Sequence, residues 1–99
     1  MKSQLICSLI LSLLAFGALA NPNAAKQKSA ACVACHGATG VSTIPMYPNL
    51  AGQKAAYLEK QLKAFKSGDR TDPTMNAMAK NLSDADIKLL AEYFSKMKR

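Results

Sequence analysis

The run Cys32-Val33-Ala34-Cys35-His36 decides how the rest of this 99-residue chain is read. Cysteines at i and i+3 lie on one face of a helical turn, so both thiols can add to the two vinyl groups along one edge of a porphyrin. The imidazole that follows is then held beneath the metal as a proximal ligand. CxxCH is accordingly the signature of covalent attachment of one haem c, with Cys32 and Cys35 forming the thioethers and His36 binding iron. The iron-binding nitrogen must be unprotonated, so the other ring N–H needs an acceptor that fixes tautomer and ring angle. Other readings of these residues fare worse. A thioredoxin-type CxxC needs a preceding strand, and no strand-like run comes before Cys32. A structural zinc site needs four ligands, but His36 is the only histidine and no cysteine follows Cys35. A short-loop disulfide leaves the adjoining histidine without a purpose.

Upstream, residues 1–20 read as a cleaved export signal: Lys2, an apolar stretch from Leu5 to Ala20, and the small-x-small ending Ala18-Leu19-Ala20 before Asn21-Pro22-Asn23. The apolar run is short for a spanning helix, which needs about 20 residues. Cys7 leaves with the signal and lacks the small residues that precede a lipidated cysteine. The expected mature domain is residues 21–99, a single unit of 79 residues. Domains of that size are marginal without a metal, disulfide or other staple. This one has no Trp, three Tyr and, outside the signal, two Phe. A large buried cofactor supplies what the core lacks.

With Lys2 gone, 12 basic and 6 acidic residues remain, a net charge of +6. Export argues against nucleic acid, and no Arg-rich or aromatic-interleaved run is present. Removal of the signal leaves no segment for stable membrane insertion. The scattered lysines form either a solvated face or a docking surface for an acidic partner.

The pattern downstream predicts an all-α fold: three main helices and long loops around one haem. Residues 24–35, without Gly or Pro, read as a helix entering the motif and capped by Gly37. Residues 37–49, with Gly40, Pro45 and Pro48, read as a loop. Tyr57, Leu58, Leu62 and Phe65 fall at helical spacing between lysines, and Gly68 stops that helix. Asp69 to Thr74 reads as a polar turn and Met75 to Asn81 as a short methionine-bearing segment. Ser83 then caps a helix in which Ile87, Leu90, Ala91 and Phe94 recur at i, i+3, i+4 and i+7, ending in basic residues.

A second histidine ligand is impossible, so a soft, neutral methionine thioether is the natural sixth ligand. Met46 follows the motif closely, between two prolines, and Met97 lies at the end of the last helix. Met75 and Met78 precede that helix, far enough along the chain to reach the opposite haem face. Spacing alone does not separate these two.

The mature sequence resembles class I cytochromes c, most closely the bacterial periplasmic cytochrome c4/c553 group. The resemblance rests on CVACHGATG (32–40), YPNLAGQ (47–53), YLEKQLKAFKSGDR (57–70), MNAMAKNLSDADI (75–87) and AEYF (91–94). It implies that Met75 is the iron ligand, with Met78 a second methionine of that segment. It also implies that the backbone carbonyl of Pro48 accepts the His36 Nδ1–H. Two departures stand out. Where family members often carry glycine in the first helix, this chain offers Ala24, Ala25 and Ala30 against Tyr93 or Phe94, and it holds one CxxCH where cytochromes c4 have two such units. The expected activity is periplasmic one-electron transfer between respiratory redox partners, such as a terminal oxidase, reductase or dehydrogenase with an acidic docking surface, without enzymatic activity of its own. A haem subunit of a periplasmic dehydrogenase complex is the alternative role. A ligand-binding or peroxide-reacting haem protein would need an open sixth position.

Overall fold

The computed structural model describes Asn21 and residues 23–99; the expected signal at 1–20, with Cys7 and the cleavage point, lies outside the described residues. The all-α expectation holds. Among the described residues there are no strands and five helices: α1 (Ala24–Lys28), α2 (Ala30–His36), α3 (Ala55–Ser67), α4 (Pro73–Ala79) and α5 (Asp84–Ser95).

Residues 24–35 form two short helices where the sequence reads as one. The break falls at Ser29, whose buried hydroxyl donates to the Lys26 carbonyl at 2.8 Å. A serine bonded back onto the preceding turn offers the backbone an alternative to straight helix. The break lets α1 pack on α5, while Cys32 and Val33 of α2 pack against the core. An ion pair of 3.3 Å between Lys28 and Asp86 joins α1 to the first turn of α5.

The short fourth helix starts two residues earlier than the sequence reading places its segment. The Asp72 side chain accepts the Met75 N–H at 2.9 Å, and Pro73 occupies the first turn, where its missing N–H costs nothing. Helix α5 begins with the expected Ser83 cap, extended to a full capping box by Asp86. The basic residues expected at its end lie beyond it, as Lys96, Lys98 and Arg99.

The core sits between α3 and α5. Leu58, Leu90, Ala91 and Phe94 form its centre, with Leu62, Leu82, Tyr93 and Met97 packed around them. Ala25 of α1 and Leu89, Tyr93 and Met97 line an open cleft between α1 and the end of α5. Among the described residues, three of the eight buried apolar residues are alanines, a thin core for a domain of this size.

Candidate haem site

Helix α2 carries all three residues of the motif. Cys32 and Cys35 are free thiols, half-buried. Burial, and then the neighbouring Cys35, push the Cys32 thiol above its ordinary pKa. His36, the last residue of α2, is only 7% exposed. Its Nδ1 lies 2.7 Å from the Pro48 carbonyl oxygen. A carbonyl can only accept, so Nδ1 carries the proton and Nε2 is the nitrogen with a lone pair to offer a metal. The tilted Tyr47 ring, 6.3 Å away between centroids, flanks the imidazole.

The loop that delivers Pro48 is ordered by polar contacts the sequence does not advertise. Gly37 ends α2 at φ +90°, and a Cβ there would fall 2.0 Å from the Val41 carbonyl oxygen. The Ser42 N–H donates to Asn49 Oδ1 at 2.7 Å, which draws the two arms of the loop together next to Pro48. The Ser42 hydroxyl reaches the carbonyls of Cys35 and Ile44 at 3.3 and 2.8 Å. Ser42 and Asn49 therefore support the site, and the sequence reading missed both. Serine and asparagine between a glycine and a proline are turn formers anyway, so the only available signal was generic.

The four methionines of the described residues have different environments. Met46 is 78% exposed and Met78 is 42% exposed. Met97 is half-buried against the core and against Gly40. Met75 is half-buried, on the first turn of α4. The segment holding Met75 is pinned by Asn76, whose Nδ2 donates to the Phe65 and Arg70 carbonyls at 2.8 and 2.9 Å while its Oδ1 accepts the Asp72 N–H at 2.8 Å. Asn76 was not singled out from the sequence, because its partners lie across a turn and on another helix.

These residues fit a porphyrin better than a bare ion. Among the described residues, no three His, Cys, Asp or Glu side chains converge on a point that a metal ion could occupy. The two thiols and the imidazole are thus not arranged to grip one atom together, whereas a haem takes the thiols at its rim and the imidazole at its centre. Val41 and Ile44, on the loop next to the motif, and Met78 are large apolar side chains the protein leaves uncovered.

A small helical domain with a CxxCH helix, a histidine oriented by a main-chain carbonyl and a thin core is a c-type haem domain. The chain belongs to the cytochrome c family: the family model described as "Cytochrome c" matches residues 23–98. A cytochrome c domain holds haem c covalently, and the pair Cys32 and Cys35 fits that attachment. The chain is 47% identical over 75 residues to cytochrome c-554(548) of Halomonas halodenitrificans, covering 73% of this chain and 90% of that protein. It is 46% identical over 76 residues to a protein of Thiomonas intermedia named thiosulfate dehydrogenase electron acceptor, covering 76% of this chain and 35% of that one. The solved structure of reduced recombinant cytochrome c4 from Pseudomonas stutzeri superposes with a TM-score of 0.64 at 39% identity, over 68% of this chain and 38% of that one. The chain therefore spans well under half of the last two and nearly the whole of the first. The first and third are named as cytochromes, and the second is named as the electron acceptor of a dehydrogenase.

Proposed function

We propose that this protein is an exported monohaem carrier that shuttles single electrons in the periplasm between respiratory redox partners. In this reading Cys32 and Cys35 form the thioethers, while His36 and Met75 are the axial ligands of the iron. The observation that carries it is the 2.7 Å contact of His36 Nδ1 with Pro48 O, which aims the imidazole and leaves Nε2 for the metal. The resemblance of the segment 75–87 to class I cytochromes c favours Met75 as the second ligand, on the first turn of α4. When bound, the haem supplies a one-electron couple between Fe(III) and Fe(II). His36 and Met75 would hold the iron, and with both bound no position would be left for another ligand. A thioether ligand in apolar surroundings favours the ferrous state.

Residues 1–20 act as the export signal and residues 21–99 as the mature domain. Among the described residues no helix is long and apolar enough to cross a membrane. The excess of lysine steers acidic partner surfaces toward the protein at rates that fall with salt. A second role keeps the same chemistry: a haem subunit held by a periplasmic dehydrogenase, favoured by the name of the Thiomonas intermedia relative. Purification alone or in a stable hetero-complex separates the two roles.

The test is an absorption spectrum, ferric and ferrous, of protein matured in a host with haem-attachment machinery, together with its mass. The expected result is a covalent haem c spectrum with histidine and methionine ligation. A colourless product with no added mass would sink the reading.

A further inference from the structure

The segment 37–52 leaves α2 and returns to α3 with its two arms closed at a neck. There the Gly40 carbonyl accepts both the Leu50 and Ala51 N–H groups, at 2.8 and 3.0 Å. Residues just beyond α5 grip that neck at three points. Met97 Sδ would lie 2.9 Å from a Cβ on Gly40, so the thioether rests directly on the glycine. Arg99 Nε donates to the Ala51 carbonyl at 3.2 Å, and the Arg99 stem lies against Gly52. The Gly52 N–H donates to the Phe94 carbonyl at 3.1 Å, which ties the neck to α5 itself. Pro48 stands two residues before the neck, and its carbonyl is the partner of His36 Nδ1.

We infer that Met97 and Arg99 are positioning residues for the axial imidazole: by fixing the Gly40–Ala51 neck they set the place of the Pro48 carbonyl and thus the strength of its hydrogen bond with His36. The inference rests on the proposed role of His36 as an iron ligand. That hydrogen bond increases the basicity of the ligand and favours the ferric state, so loosening the neck makes the protein easier to reduce. General loosening, which only lets water reach the haem, acts in the opposite direction. The sign of the change in potential therefore distinguishes positioning from mere structural support.

The experiment compares three full-length haem-loaded proteins: the parent, the double variant Met97→Ala with Arg99→Ala, and the conservative pair Met97→Leu with Arg99→Lys. Midpoint potentials are measured together with amide hydrogen exchange at Leu50 and Ala51. In the double-alanine variant we expect a higher potential and exchange at the two amides roughly tenfold faster, the scale of one lost hydrogen bond. The conservative pair should restore both toward the parent. Parental potential and exchange in the double-alanine variant overturn the inference, as does faster exchange with an unchanged or lower potential. A parent spectrum without histidine ligation overturns the axial reading and this inference with it, so the two failures are told apart by which protein shows the fault.

Discussion

His36 donates from Nδ1 to the main-chain oxygen of Pro48 at 2.7 Å, across twelve residues of chain. Because the acceptor is backbone, the proline side chain matters for the path of the loop and not for the bond. Pro48→Ala should keep the haem ligation and cost up to about 1 kcal/mol, from the greater freedom of the unfolded chain. Denaturant unfolding followed at the haem absorption band checks the cost, and the spectrum checks the ligation.

Gly37 should behave quite differently. Its φ of +90° and the 2.0 Å approach of a Cβ to the Val41 oxygen exclude any side chain. Gly37→Ala must rebuild the exit from α2, at a cost of about 2 kcal/mol or more. Chemical denaturation of the haem-loaded protein measures it; a loss below half that figure would mean the loop adjusts freely.

Met75 and Met78 are separable by substitution. Met75→Ala should open the iron to carbon monoxide in the ferrous state and lower the potential, since a thioether that favours Fe(II) is gone. Met78→Ala should leave ligation as in the parent, because in the proposed ligation Met75 alone of the two binds the iron. The reverse pattern in the absorption spectra assigns the ligand to Met78.

Asn76 is expected to matter for the same segment without touching the haem. Asn76→Ala removes donors to two carbonyls and an acceptor for the Asp72 N–H, so α4 loses its side-chain bonds to Phe65 of α3 and to the turn at Arg70 and Asp72. The expected cost is about 1–3 kcal/mol. Methionine ligation should be lost at lower denaturant than global unfolding, read from its weak absorption band in the ferric protein against helical circular dichroism.

Acid should weaken the joint between α1 and α5. The Ser83 backbone N–H, then Lys28 and the Ser83 hydroxyl, hold the Asp86 carboxyl below the ordinary carboxylate pKa. A lowered folded pKa means that the carboxylate stabilises the fold at neutral pH, and that this is lost as pH falls from the ordinary aspartate range through the lower folded value. Asp86→Asn should therefore be less stable than the parent at neutral pH and converge on it in acid. A constant gap between the two across that range, measured by thermal unfolding, would contradict this.

The attachment motif was legible because its three residues are contiguous and their chemistry is local. The α3 and α5 helices were legible for a similar reason: an apolar stripe at helical spacing with Gly68 or Ser83 at its boundary is visible within a dozen residues. The break at Ser29 was not, since an Ala- and Lys-rich run favours continuous helix and only a buried hydroxyl bonded to Lys26 shows where it bends. The start of α4 at Pro73 was passed over because Pro and Asp read equally well as a turn.

Residue order alone established that two thiols and one imidazole stand together and that the chain is helical, because covalent spacing and side-chain period need no knowledge of distant partners. Packing decided the rest. Met75 and Met78, three residues apart on one short helix packed on α3, differ in exposure. The His36–Pro48 bond and the grip of Met97 and Arg99 on the loop neck join residues far apart in the chain, and such meetings exist only once the helices have docked.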